Sequence, residues 1–159
     1  MRQTKVSTTL VIHSCPEGSI AGVEDLLGTS LTWSEASLLK GTFTTQISSS
    51  LTWIQAEELI SNLHGLYGLY LDLIQTGQER GVLFMLVPGF GIYRAETNLA
   101  GEILLPEDRI WAIVQESSGN QRELQRLVRM ALGQNWDDVL EPFRAQRIDS
   151  NVVLLNKAV

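Results

Sequence analysis

The order in which two apolar periods alternate along this chain constrains its fold more than any other feature. Residues 6–15 carry β-branched and apolar side chains of both parities, Leu10 and Ile12 against Val11, as a strand covered on both faces does. That places the first strand inside a sheet. Residues 20–27 change to helical spacing, with Val23, Leu26 and Leu27 directed inward and Gly28 at the left-handed cap position. Two alternating runs follow, 31–34 and 43–47, around a turn at Lys40 and Gly41. Thr52 and Gln55 then have capping-box spacing ahead of a stripe of Trp53, Ala56, Leu59, Ile60 and Leu63, which Gly65 ends. Leu69, Leu71 and Leu73 alternate with Tyr70 and Asp72 as a further strand. The order strand, helix, strand, strand, helix, strand is the ferredoxin-like β-α-β-β-α-β arrangement, and it occupies residues 1–76.

The second half, 77–159, reads as a hairpin followed by helices. Residues 82–87 and 92–95 flank Pro88, Gly89, Phe90 and Gly91, and 103–105 extend the sheet after a turn at Ala100 and Gly101. A helix opening at Pro106 directs Ile110, Ile113 and Val114 inward until Gly119. Asn120 and Glu123 cap a second helix, whose Leu124, Leu127, Val128, Ala131 and Leu132 form one apolar face. Asn135 caps a third, short helix through Trp136, Val139 and Leu140, closed by Pro142, and 152–155 read as an edge strand. With 44% apolar and 19% charged residues, the chain has material for one core shared by both halves. The expectation is a single α+β domain over 1–159, its sheet extended by a hairpin and its C-terminal helices packed on the same core.

A resemblance runs through most of this order. It is carried by His13-Ser14-Cys15-Pro16 at the end of the first strand, Leu27-Gly28, Trp33, Gly91-Ile92-Tyr93-Arg94-Ala95, Gly101-Glu102 and Glu107-Asp108-Arg109. Its densest part is Leu132-Gly133, Trp136-Asp137-Asp138 and Leu140-Glu141-Pro142-Phe143-Arg144. In these segments the chain resembles an actinobacterial family of uncharacterised proteins, domain of unknown function 3145. The resemblance supplies no catalytic residues. It implies a housekeeping partner in lipid metabolism, because members of that family are often encoded beside fatty-acid synthesis genes.

No residue pattern assembles a catalytic centre. His13 and Cys15 are two apart on a strand, so they are expected on one face, where a thiol and its base would have to meet. Same-face strand neighbours stand roughly 7 Å apart at the backbone, too far without a third orienting group, and packing explains both residues. His64 belongs to a helix C-terminus, where an imidazolium suits the dipole. One cysteine and two histidines form no zinc pattern, and one cysteine cannot form an internal disulfide. Gly89-Phe90-Gly91 lacks both phosphate-loop signatures and is better read as hairpin chemistry. Asp137, Asp138 and Glu141 open a helix, where negative charge is favourable, and Arg144 lies within pairing distance in sequence. No cofactor or metal is therefore expected.

Twelve Lys and Arg against 18 Asp and Glu give a net charge of −6, which disfavours nucleic acid. No apolar run approaches a membrane span, and the run before Cys15, short and broken by His13, is expected not to be a lipoprotein signal. A reducing cytoplasm is the expected location. Against the acidic surface, Arg122, Arg126 and Arg129 share one helical face, opposite Leu124, Leu127, Val128 and Ala131. That stripe either docks an acidic helix or a phosphorylated carrier, or is a solvated face relieved by acids such as Glu123. The preferred expectation is a non-enzymatic interaction or regulatory protein, and the family resemblance alone implies an acyl-carrier protein or a fatty-acid enzyme as the acidic partner. The alternative is a small-ligand-binding domain or an enzyme with a pocket between the sheet and the C-terminal helices, contacted by His13, Cys15 or Trp136.

Overall fold

Seven strands form one sheet in the order β2-β3-β1-β4-β5-β6-β7, with every neighbouring pair antiparallel. The computed structural model describes the backbone of residues 4–158 and the side chains of residues 4–146. In chain order the elements are β1 (Val6–Pro16), α1 (Glu17–Leu27), β2 (Ser34–Glu35), β3 (Thr42–Leu51), α2 (Trp53–His64), β4 (Tyr70–Thr76), β5 (Gly81–Val87), β6 (Gly91–Thr97), β7 (Ile103–Leu104), α3 (Glu107–Ser117), α4 (Gln121–Ala131) and α5 (Gln134–Ala158). The fold is mixed α+β. As the apolar side chains of both parities require, β1 is central, paired with β3 on one side and β4 on the other.

The two faces of the sheet are covered by different helices. On one face Leu10, Ile12, Leu71, Leu73 and Phe84 pack with Val23 of α1 and with Ala56, Ile60 and Leu63 of α2. On the other, Met85, Val87, Tyr93 and Ala95 pack with Leu140 of α5, joined by Trp136 and Val139. Burial on both faces accompanies a nearly continuous apolar run in β5, whereas β4 buries Asp72 and Gln75 beside Leu71 and Leu73. The capping box at Thr52 and Gln55 forms in both directions, so α2 starts where its sequence signal lies.

Several local expectations are revised. The strand expected over 31–34 shrinks to the two residues of β2, because its backbone is held from the side: Leu31 N–H donates to Glu24 Oε2 at 2.5 Å, and Thr45 Oγ1 donates to Thr32 O at 2.8 Å. Leu26, expected inward, is 38% exposed. In α3 only Ile113 of the expected apolar trio is buried, with Ile110 at 46% and Val114 at 44% exposure. The physical reason is that α3 packs chiefly on α4 rather than on the sheet, and a helix lying on one helix needs one narrow inward row. Leu127 is the buried residue of α4, and neither Ile113 nor Leu127 belongs to the two sheet clusters. Leu132 is 36% exposed.

Pro142 does not close the last helix. It lies inside α5, which begins at Gln134 rather than at an Asn135 cap. Leu140 and Phe143, buried on either side of Pro142, hold the helix through the missing backbone hydrogen bond. The edge strand expected over 152–155 falls outside the residues whose side chains are described, and the backbone there continues α5.

Candidate functional site

Polar side chains buried in an apolar layer need partners, and two such residues stand on the α5 face of the central strands. His13 is 4% and Asp72 is 5% exposed. His13 Nε2 lies 2.7 Å from Asp72 Oδ2, and since the carboxylate only accepts, the hydrogen is on Nε2. The third member comes from α5. Arg144 Nε donates to Asp72 Oδ2 at 2.9 Å and Nη2 to Oδ1 at 2.6 Å, a two-pronged pairing of guanidinium and carboxylate. Arg144 Nη1 also pairs with Asp137 of the same helix and lies 3.5 Å from Glu141 Oε2. The ring of Phe143 closes the cluster from above, with centroids 6.0 Å from His13 and 5.3 Å from Tyr70.

Electrostatics favour the ionised form of this cluster. Burial pushes the Asp72 carboxyl up, but hydrogen bonds and charge from His13 and Arg144 outweigh it and hold Asp72 below the ordinary aspartate range. The guanidinium of Arg144 is held charged against its own burial by Asp72 and Asp137. A carboxylate orienting an imidazole also occurs in hydrolase triads, but here the free ring nitrogen leads nowhere. His13 Nδ1 is buried with no hydrogen-bond partner among the described residues, and the side chain is 2% exposed. What the arrangement does chemically is bind α5 to β1 and β4 through one shared carboxylate.

Cys15 is not part of it. The expectation that His13 and Cys15 share a face fails because β1 carries a bulge: Ile12 pairs with Leu71 but Ser14 pairs with Tyr70, so one extra residue is inserted. Cys15 is thereby turned to the α1–α2 face, where it packs beside Ile12. Burial pushes its thiol up to about 11, and Sγ donates to Pro16 O at 3.4 Å. A thiol in that state is a poor nucleophile at neutral pH.

Trp136 and the arginine stripe occupy separate places. Trp136 is half-buried against Tyr93 and Phe90, and its Nε1 donates to Gly91 O at 3.1 Å. It lines an open cleft of about 870 Å³ between β6, β7 and the C-terminal helices. On α4, Arg122, Arg126 and Arg129 are all exposed. Arg126 pairs with Glu123 at 2.5 Å and Arg129 with Asp138 at 3.1 Å, while Arg122 has no ion pair among the described residues.

Asp72 and Arg144 are the residues that sequence reasoning did not assemble. Asp72 reads as the solvated member of an alternating strand, and Arg144 as a partner of its own helix. The available signal was one carboxylate inside a strand otherwise flanked by Leu71, Leu73 and Ile74, next to a central strand carrying His13. Among the described residues, no three His, Cys, Asp or Glu side chains are grouped to hold a metal ion, and no helix is long and apolar enough to cross a membrane.

Fold and site together define an α+β protein in which a buried ion cluster fixes a C-terminal helix to an antiparallel sheet. The chain belongs to the family described as protein of unknown function (DUF3145), whose model matches residues 9–157. No curated protein and no solved structure matches it.

Proposed function

We infer that the chain is a non-enzymatic interaction or regulatory protein of the cytoplasm, and that the exposed arginine face of α4 receives an acidic protein partner. The observation that carries this reading is the placement of Arg122, Arg126 and Arg129 on a pair of helices that packs mainly on itself. Arg122 is uncommitted among the described residues, and the exposed pairs of Arg126 and Arg129 are of the weakly held kind that a partner's carboxylates replace. The buried cluster adds support from the other side, since its imidazole is enclosed and its neighbouring thiol faces away. The partner class, an acyl-carrier protein or a fatty-acid enzyme, is supported by the family resemblance.

The same reading treats residues 1–76 as a ferredoxin-like unit. The order β2-β3-β1-β4, with α1 and α2 on one face, supports it, and β5 to β7 then form an extension. The second reading, a small-ligand site between the sheet and the C-terminal helices, has a cleft at the expected place. It is disfavoured because the polar groups near Trp136 are already used: Tyr93 donates its hydroxyl to Ala131 O at 2.6 Å, and the indole N–H of Trp136 is bound to Gly91.

Calorimetric titration with a purified acyl-carrier protein tests the partner class. The wild type should bind, added salt should weaken binding, and replacing the three arginines by Gln should weaken it by roughly ten-fold or more. Equal binding by both proteins removes the α4 face from the account.

A further inference from the structure

The C-terminal edge of the sheet is only partly closed. β7 pairs with β6 through Leu104 opposite Glu96 and Ile103 opposite Thr97, whereas β6 runs over Gly91–Thr97. Among the described residues, 92–95 therefore have a strand neighbour on the β5 side alone. An unpaired edge presents a row of backbone donors and acceptors, the usual template for another strand.

The cleft beside this stretch is shaped to admit one. Residues 92–96 form one wall, and Leu104, Pro106, Ala112, Met130 and Trp136 supply apolar surface around it. β7 ends because the chain turns at Pro106, which has no backbone N–H to donate, and enters α3 at Glu107. The line of β7 along β6 is thus left vacant beyond Glu96. The stretch 92–95 is roughly 14 Å long, a length suited to an extended segment.

The charges around the cleft leave one cation to be matched. Arg94 pairs with Glu57 at 3.0 Å, and Glu96 pairs with Arg80 at 2.5 Å. Asp108 accepts the backbone N–H of Arg109 at 2.9 Å and lies in the first turn of α3, where the helix N-terminus offsets its charge. Arg109 is exposed and has no ionic partner among the described residues.

We propose that this cleft binds an extended peptide segment of another protein, added to β6 in line with β7, with apolar side chains at alternate positions and a carboxylate at Arg109. Backbone pairing supplies the affinity, and the apolar wall and Arg109 supply the selectivity. A compact small molecule would leave the strand edge unmatched. This site adjoins the arginine face of α4, since Arg126 touches Met130 on the rim of the cleft, but its strand edge and Arg109 do not belong to that face.

The test uses the full chain and an array of seven-residue peptides, apolar at alternate positions and ending in Glu, Gln or Lys. Peptides ending in Glu should be enriched over Gln, and Gln over Lys. The strongest binder should shift the amide resonances of residues 92–95 and weaken roughly ten-fold when its alternate backbone N–H groups are methylated. Arg109→Glu, placed where a helix N-terminus tolerates acid, should reverse the order of preference, and Arg109→Gln should level it. Three results overturn the proposal: no peptide above array background, selected peptides that leave residues 92–95 unshifted, or full affinity in the methylated peptide.

Discussion

At the scale of single residues, Asp72 decides how α5 is held, because it is the one carboxylate shared by His13 and Arg144. Replacing Arg144 by Met removes one partner and leaves the carboxylate buried, which should cost on the order of 3 kcal/mol in urea unfolding. The pH dependence has a definite sign. The folded Asp72 carboxyl lies below its unfolded value of about 3.9, so its contribution is complete above that value and is lost as pH falls through the lower, folded one. Wild type should accordingly lose more stability than Asp72→Asn between pH 6 and pH 3, measured as the shift in urea midpoint; equal losses would mean that the carboxylate is not stabilised by the fold. Cys15 gives an independent check. With its thiol pushed up to about 11 and fully enclosed, it should react with a disulfide reagent only at the rate at which the protein opens. Reaction at the speed of a free thiol would contradict the enclosure of Cys15 behind the β1 bulge.

At the scale of elements, the signals that were legible are those completed within a few residues. The capping box of α2 needs only Thr52 and Gln55, and the central place of β1 follows from its own two-sided apolar pattern. The features that were not legible depend on distant chain. The β1 bulge exists only in register with β3 and β4, and it decides which face receives Cys15. Pro142 carries a local stop signal that packing of Leu140 and Phe143 overrides. Two glycines separate local from tertiary demands. Gly28 has φ 69° with nothing near an added Cβ, whereas at Gly133, φ 68°, that Cβ would come within 2.7 Å of Met85 Cε and Tyr93 Cε1. Gly28→Ala should therefore cost only the left-handed penalty, about 1 kcal/mol, and Gly133→Ala about 2 kcal/mol or more, because the α4–α5 corner must also shift. Equal thermal shifts for the two would contradict the close approach of that corner to β5 and β6.

At the scale of the whole molecule, sheet, α1, α2 and α5 form a platform locked from both faces, while α3 and α4 pack chiefly on each other and expose their outer sides. Composition and period alternation made the α+β class and the one central strand readable. They could not show the polar cluster from which the three arginines of α4 stand apart, because it forms only when Arg144 of α5 reaches across to Asp72 of β4. The central claim is that function resides on the outer face of α4 and not in the enclosed groups. Affinity capture from a lysate of the native cell tests it most directly, using wild type, Cys15→Ser and the variant with Arg122, Arg126 and Arg129 all changed to Gln, each first shown to be folded. The account predicts the same captured protein with wild type and Cys15→Ser, and its loss with the triple variant. Retention of that same protein by the folded triple variant, or its loss with Cys15→Ser alone, would contradict it.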